Sequence, residues 1–245
     1  MRPVARDQRS GRGVAGLWPC AREGDDVIIH LDNEDHVRVP FLRQQIRKSR
    51  DRANFCLADF IDPDGDAHDY YEFEMNALNT GWDLRLKKPY KDGGPALNEW
   101  EIPGLKTAVH VNGTLNNSTD TDVGWTVEIA FPWKALAEFA HRKTPPTEGD
   151  QWRVNFSRVE WLTDIGSGKY RKAPGRPEDN WVWSPQGIID LHRPEKWGYV
   201  QFTRKKPGAV SFVPDPAARV KNRLHEIYYA QRAYRAKNDH WAQSL

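Results

Sequence analysis

The sequence predicts an all-β fold: an antiparallel β-sandwich, a C-terminal α-helix, and an N-terminal segment that no clean pattern assigns. Three observations lead there. Short runs of alternating apolar and polar residues recur about every ten residues, with turn-forming clusters between them. No helices alternate regularly with these runs, as a parallel sheet would require. After Pro216 the apolar spacing changes to a helical one.

The elements follow in order. Phe60–Ile61 leads into DPDGD, a turn by its chemistry. In YYEFEMNAL, Tyr71, Phe73, Met75 and Ala77 alternate with Glu72, Glu74 and Asn76, the pattern of a half-buried strand. WDLRL sets Trp82, Leu84 and Leu86 on one face. KTAVHVNGTL holds Asn112-Gly113, the strongest short hairpin signal. GWTVEIAFPW sets Trp125, Val127, Ile129 and Phe131 on one side until Pro132 stops the ladder. KALAEFAHR reads as one short helix. QWRVNFSRVEW is a long strand with Trp152, Val154 and Phe156 on its apolar face, and KWGYVQF closes the set. ARVKNRLHEIYYAQRAYRAK is the helix, with Val220, Leu224, Ile227 and Tyr234 on one face. That face fits docking on the sandwich; the other reading is a linker.

Composition divides the chain. Residues 1–56 carry ten Arg, one Lys and one Trp, whereas the remainder holds twelve Arg, thirteen Lys and ten Trp. The division gives residues 1–58 as an atypical segment, 59–206 as the sandwich and 215–245 as the helix. The first segment offers one strand, Val27–Leu31, and an Arg-rich stretch, FLRQQIRKSRDR, without a period. It reads as a variable extension or as sequence not native to this domain. Its opening, MRPVARDQRSGRGVAG, has no apolar stretch after its charges and is no secretory signal as written.

A net charge of +2, from 36 cations and 34 anions, gives no electrostatic reason to bind nucleic acid or an anionic membrane. No run approaches the length of a membrane span. Cys20 and Cys56 make neither a disulfide framework nor a zinc motif. His68, His110, His141 and His192 show no zinc spacing, and no phosphate loop or nucleophile elbow is present. The only methionines are Met1 and Met75, and Met75 faces the expected core, which argues against a Met/His haem site.

Aromatics carry the functional signal. Trp125 and Trp152 belong to the core. Trp82, Trp100, Trp181 and Trp183 lie near turns or in Pro/Gly-rich loops, where an indole either caps the sandwich or stacks on a ligand. Sugar rings present C–H faces that pack on indole, and their hydroxyls need amide, carboxylate or guanidinium groups at the rim. The polar faces of two strands offer Glu72, Glu74 and Asn76, and Arg153, Asn155, Ser157, Arg158 and Glu160. These read equally as a solvated sheet face. Two carboxylates such as Glu72 and Glu74 raise glycoside hydrolysis as an alternative, without any sign of a general acid in an apolar pocket. Asp62, Asp64, Asp66 and Asp69 crowd one turn. Their spacing is not that of an EF-hand, and either a calcium ion or a metal-free Asp/Gly turn accounts for them.

Four blocks, in order, carry a family likeness: FIDPDGDAHDYYEFEMNALNTGWDLRLKKPY, GLKTAVHVNGTLNNSTDTDVGWTVEIAFPW, QWRVNFSRVEW and NWVWSPQGIIDLHRPEKWGYVQF. Over residues 59–203 they resemble the carbohydrate-binding module family 9-like domains of bacterial proteins, within the wider DOMON-like group of β-sandwiches. The resemblance implies non-catalytic binding of poly- or oligosaccharide between aromatic rings, a structural calcium, export to the periplasm or beyond, and association with glycan-degrading enzymes. The chain departs from the family's pattern in two places. Ala58 stands where a carboxylate is expected, and Leu191 and His192 stand near the second aromatic clamp. The expected sugar site is therefore Trp82, Trp100 and Trp183 for stacking, with Glu74, Asn76, Arg158 and His192 for hydroxyls. Asp62, Asp64 and Asp66 are the expected calcium ligands. A sandwich that has lost its sugar site and serves as a scaffold is a further alternative.

Overall fold

The structure is a computed structural model, and it describes residues 20–23, 26–30, 36–39, 44–45, 56–206 and 209–244. Most of FLRQQIRKSRDR, Leu31 and the side chains of Cys20 and Cys56 lie outside the described residues. The strands are β1 (Cys20–Glu23), β2 (Asp26–His30), β3 (His36–Val39), β4 (Gln44–Gln45), β5 (Cys56–Asp62), β6 (Tyr70–Met75), β7 (Gly81–Leu86), β8 (Ala96–Leu97), β9 (Lys106–Asn112) and β10 (Gly124–Pro132). After α1 (Trp133–Leu136) come β11 (Gln151–Glu160), β12 (Thr163–Gly166), β13 (Lys169–Lys172), β14 (Asp179–Val182) and β15 (Gly198–Thr203), then α2 (Ala218–Asn238).

The long sheet runs β1-β2-β15-β11-β5-β6-β7-β8, with β14 also paired to β11. The second sheet centres on β10, flanked by β3 and β4 and paired with β9. Among the described strands the pairing is antiparallel except for β2 alongside β15. Two-residue periodicity then sorts the side chains. Leu57, Ile61, Tyr71, Phe73, Met75, Trp152, Val154 and Phe156 of the long sheet meet Trp125, Val127, Ile129 and Phe131 of the second sheet. This is the core of an antiparallel sandwich, as the alternation predicts.

The opposite face of the long sheet is not a solvated face. The segment from Ser184 to Trp197 lies across it and covers a second apolar cluster of Ala58, Phe60, Tyr70, Leu84, Leu86 and Trp197. Asn155 fastens that segment: its Nδ2 donates to the Ser184 carbonyl and its Oδ1 accepts from the Ser184 amide, at 3.2 and 2.9 Å. The Ser184 hydroxyl donates to the Lys196 carbonyl, which closes the segment's other end. Arg153, Asn155 and Ser157, expected on an open polar face, are buried under it.

Local expectations fare differently. The helix expected over KALAEFAHR is only four residues long. The Tyr71 hydroxyl donates to the Leu136 carbonyl (2.9 Å) and accepts from the Phe139 amide (3.0 Å), so a side chain occupies the place of the next helical bond. Asn112-Gly113 does not make a two-residue turn. β9 and β10 do pair, but residues 113–123 connect them, organised by Asp122, which accepts from the Thr114 amide. A tight hairpin forms instead at Ser167-Gly168, where both residues have positive φ, joining β12 to β13.

Residues 1–212 and 213–245 form two compact units. In the second, α2 ends at Asp239 in the left-handed conformation. The chain then turns back: Gln231 exchanges hydrogen bonds with the backbone of Ala242, and Arg235 lies over the Trp241 ring at 4.8 Å. Val220, Leu224, Ile227 and Tyr234 of α2 are exposed. Among the described residues no helix is long and apolar enough to cross a membrane.

Candidate functional site

Strand register lays out the outer face of the long sheet row by row. One row reads Trp82, Glu74, Ala58, Ser157 and Val182 across β7, β6, β5, β11 and β14. The next reads Leu84, Glu72, Phe60 and Asn155. Trp82 is 48% exposed and stands directly opposite the half-buried Glu74. Small Ala58 beside Glu74 places no long side chain between that carboxylate and Ser157. The Ser157 hydroxyl is buried without a hydrogen-bond partner among the described residues.

A network of titratable groups adjoins this row. The Tyr70 hydroxyl and His192 Nδ1 lie 2.9 Å apart, and His192 Nε2 lies 3.9 Å from Glu72 Oε2. The Tyr90 ring meets the His192 ring edge-on at 4.5 Å. Burial, and then the Glu74 carboxylate beside it, push Glu72 up to about 8. Burial holds His192 down to about 4, partly opposed by Asp190. Burial thus favours the neutral form of both groups.

The seven residues expected to bind sugar divide between the two faces. Trp82, Glu74 and His192 come together on the outer face. Asn76 lies next to them on the turn from β6 to β7, where its Oδ1 accepts from the Leu78 and Thr80 amides. The other three do not join. Trp183 is only 6% exposed and belongs to the inter-sheet core, packed on Phe156 and against Gly198, where a Cβ would meet its ring at 2.5 Å. Trp100 packs on Tyr71 and Phe139 at the inner side, with its indole N–H donating to Glu138. Arg158 falls in register with Leu57 on the inner-face parity, and its guanidinium sits 4.7 Å over the Trp181 ring. Glu72, Tyr70, Tyr90 and Ser157 were not expected in the site. Glu72 and Ser157 share the period-two face of residues already singled out, but nothing in the sequence shows that a distant segment buries that face.

The acidic turn was found where expected. Asp62, Asp64 and Asp66 bring one oxygen each within 4.8 Å of one another. Hard carboxylate oxygens at this spacing fit calcium. The Asp62 oxygens also accept from the Gly65 and Ala67 amides, which hold the turn in shape. Burial is the main cause raising Asp62 to about 8; the two amides oppose it, and the neighbouring Asp64 and Asp66 add to it.

Comparisons with known proteins bear on different parts of the chain. A family model described as vitamin B12 dependent methionine synthase, activation domain, matches residues 2–92. That stretch is well under half of the 245 residues and excludes β8 to β15, α1 and α2. Two solved structures are similar to the chain. One is a candidate carbohydrate-binding protein from Bacteroides uniformis, with 19% identity over 60% of this chain and 60% of that one, TM-score 0.38. The other is a carbohydrate binding module family 9 from Caldicellulosiruptor kristjanssonii in complex with cellotriose, with 12% identity over 66% and 64%, TM-score 0.37. The chain thus spans less than two thirds of the length of either. At these identities and scores the likeness by itself assigns neither ligand nor activity.

Proposed function

We propose that the outer face of the long sheet binds carbohydrate without cleaving it. The observation that carries this reading is the exposed Trp82 ring set beside Glu74, with Glu72 and His192 next in line. An exposed indole supplies stacking area, and adjacent carboxyl and imidazole groups both donate to and accept from hydroxyls.

A glycan array followed by calorimetry on the best binder is the test, with cello-oligosaccharides as the first probe. Trp82→Ala is expected to weaken binding by about tenfold or more, with the far-UV circular dichroism of the sandwich intact. Unchanged binding would reject Trp82, and an array without any binder would reject the function. The inward packing of Trp183 and Trp100 favours the second reading, a scaffold without a sugar site, and that same empty array would support it.

Asp62, Asp64 and Asp66 are proposed to hold a structural calcium, which would tie the turn between β5 and β6. Added calcium is then expected to raise the melting temperature, and Asp64→Ala to abolish the rise; a melt indifferent to calcium and chelator refutes the site. Export and association with glycan-degrading enzymes belong to the same proposal. Recovery of the protein from the cell interior alone would contradict them.

A further inference from the structure

Tyr90, 51% exposed, presents a second aromatic ring beside the His192 network. It opens the single helical turn Tyr90–Asp92, past the end of β7, whereas Trp82 stands near the start of that strand. Neighbouring groups hold the turn in place. The Asp92 and Gly93 amides donate to the Pro89 and Tyr90 carbonyls at 2.8 and 3.0 Å. Lys91 Nζ lies 2.7 Å from Asp92 Oδ2 and 3.9 Å from Oε2 of the buried Glu195, which ties the turn to the crossing segment. The His192 ring that meets Tyr90 edge-on at 4.5 Å is itself fixed by the Tyr70 hydroxyl at Nδ1. An aromatic ring held before binding loses little freedom when a ligand arrives. Burial raises the Tyr90 phenol above its ordinary value, and the Glu72 and Glu74 carboxylates near it raise it further.

The order of neighbours is thus Trp82, Glu74, Glu72, His192 and Tyr90. Trp82 stands in the row of Glu74, and Tyr90 meets the network at His192, beside the row of Glu72. Rows on one sheet face are about 7 Å apart along the strand, which sets Tyr90 against a different part of a bound chain from Trp82. Between the two rings, His192 Nε2 and Glu72 Oε2 lie 3.9 Å apart, too far for a hydrogen bond to each other and placed for a hydroxyl to bridge. We propose that Tyr90 carries a second sugar unit of the chain whose first unit stacks on Trp82, with Glu72 and His192 bonding hydroxyls between them. This rests on the carbohydrate-binding reading above and makes the ligand class a chain of two or more units.

The experiment measures the full chain's affinity for glucose by NMR titration and for cellotriose by calorimetry, or for the matching mono- and trisaccharide of the series that binds best on the array. The wild-type protein is expected to bind the trisaccharide at least about tenfold more tightly than the monosaccharide. Tyr90→Leu keeps apolar bulk against His192 but has no flat ring. It should lose about tenfold in trisaccharide affinity and leave monosaccharide affinity unchanged, while Tyr90→Phe retains both. Tyr90→Met replaces the leucine variant if circular dichroism shows a lost fold. Trp82→Ala should weaken both sugars. Trisaccharide affinity unchanged in Tyr90→Leu overturns the second subsite and leaves the function at Trp82 standing. Equal losses for the two sugars overturn it as well, since Tyr90 then serves the same unit as Trp82. Absence of binding by the wild-type chain to every sugar overturns both readings.

Discussion

Asp59 stands on the inner face of β5, level with Phe73 on one neighbouring strand and Phe156 on the other. It is 1% exposed, and neither carboxylate oxygen has a hydrogen-bond partner among the described residues. Burial alone pushes it up to about 8. An unfolded aspartate titrates near 3.9, so between roughly pH 4 and pH 8 the folded chain holds a proton that the unfolded chain releases. Stability must then fall as pH rises through that window, by an amount on the order of a few kcal/mol, and level off above it. Asp59→Val is expected to make the slope shallower, leaving the part that Glu72 and Asp62 contribute, and to stabilise the protein at pH 8 by roughly 1–3 kcal/mol. Denaturant melts of both proteins across the window measure this. A variant advantage that shrinks with rising pH would show the assignment to be wrong. The sequence concealed Asp59: in NFCLADFIDPDG it is one acid just before several others, and only the register places it opposite two phenylalanines.

At the scale of elements, tertiary contacts decide where several of them stop. α1 ends after one turn because the Tyr71 hydroxyl takes both the Leu136 carbonyl and the Phe139 amide. Tyr71→Phe leaves both backbone groups without that partner. It is expected to cost about 1–3 kcal/mol and to raise hydrogen exchange at Phe139, with the rest of the sandwich unaffected. Exchange unchanged at Phe139 would show that water replaces the hydroxyl without penalty. Strands were legible because alternation is a local property: Tyr71, Phe73 and Met75 point inward wherever β6 lies. Turn length was less legible. Asn112-Gly113 carries the chemistry of a tight hairpin, yet Asp122 and Asp120 bind Thr114 and hold an eleven-residue connection, residues 113–123.

On the scale of the whole molecule, function depends on how one segment crosses one sheet face. Residues 184–197 convert the outer face of the long sheet from a water-facing surface into a second packed layer. Trp197 sits at its centre, against Phe60 and Tyr70 at 5.3 and 5.0 Å, with its indole N–H donating to the Leu191 carbonyl. That crossing buries Glu72 and His192 and so sets their protonation. The site proposed for sugar thus lies along the margin of this segment and needs no residue from the second unit.

By itself the sequence determined the fold class, the inward and outward faces of the main strands, the acidic turn and the span of the C-terminal helix, because periodicity and turn chemistry act over a few neighbouring residues. It also selected Trp82, Glu74 and His192. Only the tertiary structure decided which indoles are exposed. Trp181 and Trp183 are two residues apart in one loop-like run, yet Trp181 is half-buried beneath Arg158 while Trp183 is packed into the core beside Phe156 and Gly198. Burial is set by what arrives from far along the chain, and two-residue spacing carries no information about it.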